Sequence, residues 1–251
     1  LMDLNLSPDV ALIIAACAFA IMFGGLVKGT LGVGLPLFAV PIMSLMIGST
    51  QAIALVAVPV LVSNIWQAWQ EGNWKASLKR FWPLMVSQGI MTVLAVHWTL
   101  DFSAKQLNML VAFAVVLAVV AMLFKPSFNI PPEREKIVGA MVGTASGLLG
   151  GVSSLMGPIL ISYTMSLKMQ RDEFVGAISI IYLNAAWPLY LAMFSFGRME
   201  VVDLGYSVLA LIPMAIGLTV GQKLRHRLSE DAFRKVLLGF LIFVATLLVL
   251  R

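Results

Sequence analysis

The residues of most chemical interest in this sequence are a lysine and a few polar side chains set in long apolar stretches. Lys28 follows a run of apolar residues and glycines, and Asn64 and Asn184 lie within later apolar runs. Such side chains are costly in lipid, so we expect them to face protein or a cavity. A buried ammonium with amide and hydroxyl donors nearby has the chemistry to bind a small anion. Two alternatives stay open: Lys28 can snorkel to the surface as a topology signal, and each asparagine can simply join two helices.

The acidic residues give the opposite picture. All twelve fall in predicted loops or at the ends of predicted segments. A transporter of cations or amines usually needs a carboxylate inside the membrane as a counter-charge. The sequence therefore favours an anion over a cation as the ligand.

Groups for catalysis or metal binding are sparse. The chain has one cysteine, Cys17, and its two histidines, His97 and His226, lie in different segments. This excludes an internal disulfide and a multi-cysteine metal site. The sequence also lacks any motif that pairs a nucleophile with a base. We therefore predict no enzyme activity, no metal site and no cofactor.

The composition is that of an integral membrane protein. Of 251 residues, 60% are hydrophobic and 12% are charged, whereas a soluble domain carries about 25% charged residues. The net charge of +5 sets orientation in such a chain and does not indicate nucleic-acid binding.

Apolar runs divide the chain into ten predicted segments. They lie at residues 9–27, 35–47, 51–69, 81–98, 106–124, 137–150, 155–167, 173–196, 204–222 and 234–250. Since crossing the bilayer takes about 20 residues, segments 35–47 and 155–167 are too short to span. We expect each of them to belong to a chain that turns back inside the membrane.

Each short segment follows a glycine-rich stretch, at 23–41 and again at 142–158. Gly25, Gly29 and Gly32 have the same spacing as Gly143, Gly147 and Gly150. We predict that the backbone leaves helical geometry in both stretches, with Lys28 inside the first break. Matching broken segments in two halves of a membrane protein indicate a transporter's binding site. The competing interpretation is that the glycines only allow close helix packing.

The N-termini of the two short helices should face one another near the membrane centre. Helix N-termini carry partial positive charge and free N–H groups, which suit an anion. Ser146 adds a further hydroxyl, and for Gln88 we expect only a helix–helix hydrogen bond. The predicted substrate-binding residues are Lys28, Gly29, Thr30, Gly32, Gly34, Asn64, Gly150, Gly151, Ser153, Ser154, Gly157, Tyr182 and Asn184.

Basic residues set the predicted topology. With the N-terminus outside and every segment changing sides, most lysines and arginines fall in cytoplasmic loops. The linker 125–136 then divides a first repeat, residues 1–124, from a second repeat, residues 137–251. Because each repeat has five segments, the second is inverted relative to the first.

The two repeats resemble a known family. GGLVKGTLGVGLPLFAVPIMSL, followed by QAIALVAVPVLVSNIWQ, resembles the first repeat of the TauE/SafE sulfite-exporter family. GTASGLLGGVSSLMGPILISYTMSL, followed by EFVGAISIIYLNAAWPLYL, resembles its second repeat. The resemblance implies a bacterial inner-membrane permease for small anions such as sulfite, sulfonates and some carboxylates. At residues 154–158 the sequence Ser-Leu-Met-Gly-Pro replaces the family's usual glycine, any residue, glycine-glycine-proline, which leaves the substrate open.

These observations predict an all-α integral membrane protein, an inverted-repeat transporter that binds an organosulfonate, sulfite or related oxyanion at mid-membrane. An anion channel and a transporter of a small carboxylate are the alternatives. The expected partners are the anion, the lipid bilayer and a coupling proton or sodium ion. The direction of transport and the oligomeric state stay open.

Overall fold

The computed structural model describes residues 8–123, 130–167 and 169–224, and in these ranges it contains helices and no strand. A short 3-10 turn, Pro132–Arg134, precedes the second half. The α-helices are α1 (Pro8–Leu31), α2 (Leu35–Ile47), α3 (Ser49–Leu55), α4 (Ala57–Glu71), α5 (Trp74–Trp98), α6 (Ala104–Leu123), α7 (Glu135–Ser153), α8 (Gly157–Ser166), α9 (Arg171–Ser195), α10 (Val201–Leu209) and α11 (Leu211–Leu224).

Within the described residues, five stretches of helix are long and apolar enough to cross a membrane. They are Asp9–Leu31, Ser49–Gln70, Pro132–Ser153, Glu173–Ser195 and Val201–Leu224. Each has at least 22 residues, which at about 1.5 Å per residue exceeds the hydrocarbon thickness of about 30 Å. The predicted all-α integral membrane protein is confirmed. The predicted segment 234–250 lies outside the described residues.

Two predicted segments are interrupted helices, and proline explains both interruptions. Segment 51–69 breaks between α3 and α4, and segment 204–222 breaks between α10 and α11. Proline lacks the N–H that would bond to the carbonyl four residues earlier. Pro59 and Pro213 therefore free the carbonyls of Leu55 and Leu209, the last residues of α3 and α10.

The first of these interruptions is closed by a side chain from the second. The Ser207 hydroxyl donates to the Leu55 carbonyl (2.8 Å) and accepts from the Val58 amide (2.9 Å). Backbone groups that would be unpaired in lipid are thus satisfied by a neighbouring helix, as the bilayer requires.

The prediction for the first glycine-rich stretch is wrong in part. Helix α1 continues through Gly24, Gly25, Lys28 and Gly29, and only Gly32–Gly34 separate it from α2. Lys28 therefore lies inside the last turn of α1, not in the break. The second stretch behaves in the same way, because α7 continues to Ser153 and the break covers only residues 154–156.

Close backbone packing explains why these helical positions are occupied by glycine. A Cβ atom at Gly25 or Gly29 would overlap the carbonyl oxygens of Met214 and Leu218 in α11. In the second half, Gly143 and Gly147 lie against the carbonyl oxygens of Leu84 and Gln88 in α5. We call these two contacts the glycine seams, α1–α11 and α7–α5. The packing interpretation therefore holds for the helical glycines, while Gly32 and Gly34 form the true turn.

Polar contacts show that α5, α7 and α9 begin on the same face of the molecule. The Arg80 guanidinium binds Glu135 at the start of α7 through Nε–Oε1 (2.5 Å) and NH2–Oε2 (3.1 Å). It also reaches Glu173 near the start of α9, at 3.4 Å. At the opposite face, Arg198 donates to the Thr99 hydroxyl (3.0 Å), next to the end of α5.

Candidate functional site

The first turn, Gly32–Gly34, depends on glycine. Gly32 has φ 82° and Gly34 has φ 108°, backbone conformations that cost a residue with a Cβ about 1–2 kcal/mol. Helix α2 begins directly after Gly34, with a proline in its first turn and no side-chain cap. Its first amides are therefore not satisfied by a capping side chain and point to the turn, as an anion site would need.

Lys28 is buried one helical turn before this break. Only 2% of the residue is exposed. Its Nζ donates to Asn64 Oδ1 (2.7 Å) and lies 3.5 Å from the Gly32 carbonyl oxygen. Asn64 also donates from its amide to the Val60 carbonyl (2.8 Å), which fixes the amide so that its oxygen faces Lys28. The structure therefore brings two predicted site residues into direct contact.

The ammonium has no acidic neighbour in the part of the chain that the structure describes. Both ion pairs found there belong to Arg80. Every described aspartate and glutamate lies in a loop or in the first or last turn of a helix. A buried charge without a counter-charge costs several kcal/mol. Lys28 therefore provides a positive centre whose partners among the described residues are neutral oxygens.

The second turn, residues 154–156, joins α7 to α8. Ser154 has φ 61°, the one described residue other than glycine with a positive φ. The Ser153 hydroxyl donates to the Leu149 carbonyl (2.6 Å) and accepts from the Leu155 amide (3.2 Å), which stabilises the turn. Helix α8 begins at Gly157, again with a proline in its first turn and no side-chain cap.

Three polar side chains from α5 and α9 lie around the second turn. The Tyr182 hydroxyl packs against Gly157, where a Cβ would overlap it. Gln88 is fully buried, and its Nε2 donates to Ser146 (3.1 Å) and lies 3.8 Å from Met156 Sδ. The Tyr190 hydroxyl is buried beside Ser154. The helix–helix hydrogen bond expected for Gln88 is present, but its place beside the turn was missed, as was Tyr190.

The two turns lie in one apolar cluster and contact one helix. Val33 of the first turn and Met156 of the second belong to the same hydrophobic cluster as Tyr182. Gly32 packs against Val175 of α9, and Gly157 packs against Tyr182 of α9. These two contacts are seven residues apart along α9, which is about 10 Å at 1.5 Å per residue.

Other predicted site residues make internal contacts. The Thr30 hydroxyl donates to the Leu26 and Val27 carbonyls of its own helix. The Asn184 amide donates to the Met85 carbonyl (3.0 Å), a bond between α9 and α5. Gly151 lies against Thr92 of α5, and Gly150 packs against the Met156 side chain. Asn64 therefore accepts a hydrogen bond from Lys28, whereas the hydrogen bond of Asn184 is to Met85 of α5.

A small cleft of about 10 Å³ lies away from the first turn. Its lining residues are Ser49, Thr50, Ile53, Leu107, Gly151, Val152, Met193 and Arg198. It includes neither Lys28 nor Asn64. The closely packed turns, and not this cleft, hold the polar groups described above.

Helices long and apolar enough to cross a membrane, two uncapped short helices after tight turns and a buried lysine describe a multi-pass membrane protein. A family model described as "Sulfite exporter TauE/SafE" matches residues 17–248. The chain belongs to this family, and the resemblance noted in the sequence is confirmed. No curated protein and no solved structure matches the chain significantly.

Proposed function

We propose that this protein carries a small anion across the membrane, an organosulfonate, sulfite or related oxyanion, and binds it at the first turn beside Lys28. The observation that carries the proposal is a buried ammonium that, within the described ranges, makes polar contacts to the neutral oxygens of Asn64 and Gly32 and to no carboxylate. An anion at this place would supply the missing counter-charge. Backbone amides at the start of α2, which no side chain caps, would add hydrogen bonds to it.

The arrangement of the halves supports a carrier built from inverted repeats. Helix α1 packs on α11 through Gly25 and Gly29, and α7 packs on α5 through Gly143 and Gly147. In the proposed division, residues 1–124 and 137–251 are the repeats, and 125–136 is a cytoplasmic linker. We place the N-terminus outside a bacterial inner membrane, because the basic loops then face the cytoplasm.

Uptake by purified protein in liposomes tests the proposal, with radiolabelled sulfite and isethionate as probes. We expect Lys28→Met to weaken anion binding at least about tenfold, or about 1.4 kcal/mol, because it removes the positive charge but keeps an unbranched side chain. Lys79→Met is the matched control, since Lys79 is an exposed lysine of α5. It should leave binding unchanged.

Two outcomes would contradict the proposal. If the wild-type protein moves no anion under any gradient, the proposed function fails. If Lys28→Met binds and transports the anion like the wild type, Lys28 is not part of the site.

Counterflow separates a carrier from a channel, because only a carrier speeds exchange when unlabelled anion is present on the far side. Competition by small carboxylates tests the carboxylate alternative.

A further inference from the structure

The second turn holds a buried hydrogen-bond acceptor that has no partner among the described residues. Gln88 is completely buried in the middle of α5, and its Oε1 atom makes no hydrogen bond there. Burying such a group unpaired costs about 1–3 kcal/mol. Native structures keep such atoms rarely, and each one calls for an explanation.

The orientation of the Gln88 amide follows from its neighbour. The Ser146 hydroxyl donates its proton to the Gly143 carbonyl (3.2 Å). With that proton directed to Gly143, the Ser146 oxygen accepts from Gln88 Nε2 at 3.1 Å, and this orientation of the amide pairs both groups. The unpartnered atom is thus an acceptor, and it belongs to a carboxamide in contact with Met156, the residue that precedes α8.

A second buried hydroxyl lies at the same turn. The Tyr190 hydroxyl is buried beside Ser154 and makes no hydrogen bond of good geometry within the described ranges. Tyr182 also presents its hydroxyl at Gly157, the first residue of α8. The second turn therefore has donors for an anion, from the α8 amides and the tyrosines. It also has an acceptor, Gln88 Oε1, to which an anion can bond only if it carries a hydrogen-bond donor.

We propose that the second turn is a subsite for an anion that also carries a hydrogen-bond donor, such as a hydroxyl group, which Gln88 Oε1 accepts. This inference rests on the proposed function and narrows its substrate class. This subsite lies about 10 Å along α9 from the first turn, so it is a second binding position on the transport path, separate from the one beside Lys28. The negative end of a ligand in the subsite lies at the uncapped N-terminus of α8, where Tyr190 donates to it. A hydroxyl two carbons away then reaches the carboxamide of Gln88.

Two sulfonates of equal charge and chain length test the subsite: isethionate, which has a terminal hydroxyl, and ethanesulfonate, which lacks it. We expect the wild-type protein to bind isethionate at least about tenfold more tightly, because ethanesulfonate leaves the buried acceptor unpaired. Isothermal titration in detergent and the ratio of transport KM values both measure this preference.

Variants assign the preference to Gln88. Gln88→Met keeps the length of the side chain but removes the acceptor, so the preference should fall to about one, with ethanesulfonate binding kept. Gln67→Met is the control, because Gln67 is a buried amide whose oxygen is already paired with Ser179 (3.2 Å). It should keep the preference of the wild type. Tyr190→Phe removes the proposed donor to the negative end of the ligand without changing α5. It should weaken the binding of both sulfonates.

The outcomes separate this inference from the proposed function. Equal binding of the two sulfonates by the wild type would overturn the subsite and leave anion transport intact, and a buried water would then be the partner of Gln88. A preference that survives in Gln88→Met would also overturn it. Binding of neither sulfonate, nor of sulfite, would remove the proposed function and this inference together.

Discussion

The two turns share a backbone design but differ in their side chains. Each follows a long helix, contains a positive φ and leads into a short helix with a proline in its first turn and no cap. The first turn has a buried cation, Lys28. At the matching position of the second half, one residue before Gly147, stands Ser146, which accepts from Gln88. Under the proposed function, the backbone of both turns would bind an anion, while the side chains would divide charge and selectivity between the halves.

The largest expected effects come from the glycine seams, which both halves need equally. Gly29→Ala and Gly147→Ala each push a Cβ into a backbone carbonyl of the partner helix. Each should cost about 1–3 kcal/mol or more and lower the melting temperature in detergent by several degrees.

Gly205→Ala in α10 is the control for the seams, because a Cβ there meets nothing within 4 Å. This substitution should be neutral or slightly stabilising, since alanine has a higher helix propensity than glycine, by about 1 kcal/mol. A stable Gly147→Ala beside an unstable Gly29→Ala would break the equivalence of the two seams.

The asparagines give the next largest effect, and here the halves should differ. Asn64 accepts a hydrogen bond from a buried ammonium, whereas Asn184 donates to the neutral Met85 carbonyl. Bonds to charged groups contribute about 1.5–3 kcal/mol, and polar bonds between membrane helices average about 0.6 kcal/mol.

Anion binding and thermal stability should therefore fall much more in Asn64→Leu than in Asn184→Leu. We expect a loss of affinity of about tenfold or more for Asn64→Leu and little change for Asn184→Leu. Equal losses in the two variants would show that the first half has no special electrostatic role.

The smallest effects concern the positive φ positions of the turns. Gly34→Ala places a Cβ at φ 108° and should cost about 1–2 kcal/mol. Ser154→Gly removes the strain of a serine at φ 61° but adds flexibility to the unfolded chain, so its net effect should be near zero. Chemical unfolding in detergent measures both. A strongly destabilised Ser154→Gly would show that the serine side chain, and not the backbone, fixes the second turn.

Local sequence predicted the short helices because their limits are set by neighbouring residues. Helix α2 covers residues 35–47, as predicted, since Gly34 and Gly48 flank it and both have a positive φ. The position of the described carboxylates in loops and at helix ends also followed from the sequence, because charged residues accumulate where apolar runs end. These features need no knowledge of which helix packs on which.

Features that depend on distant partners were not predictable in this way. Gly25 and Gly29 lie within a helix and contact the backbone of α11, nearly 190 residues later. Without knowledge of that contact, the glycines in the sequence predicted a break in the helix. Lys28 and Asn64 were each noted in the sequence, but their contact joins residues 36 positions apart. Gln88 was assigned a structural bond because its sequence position carries no sign of an unpaired oxygen.

The glycine seams also determine where the molecule can move. Helices in backbone contact cannot slide past each other without losing that contact. We therefore expect α1 and α11 to move together as one rigid pair, and α5 and α7 as another. The interface between α4 and α9 is different, because side chains fill it and the Gln67–Ser179 bond crosses it. We therefore expect shear to be easier at this interface than at either glycine seam. Since Gly32 packs against Val175 of α9, that motion would alternately cover and uncover the lysine.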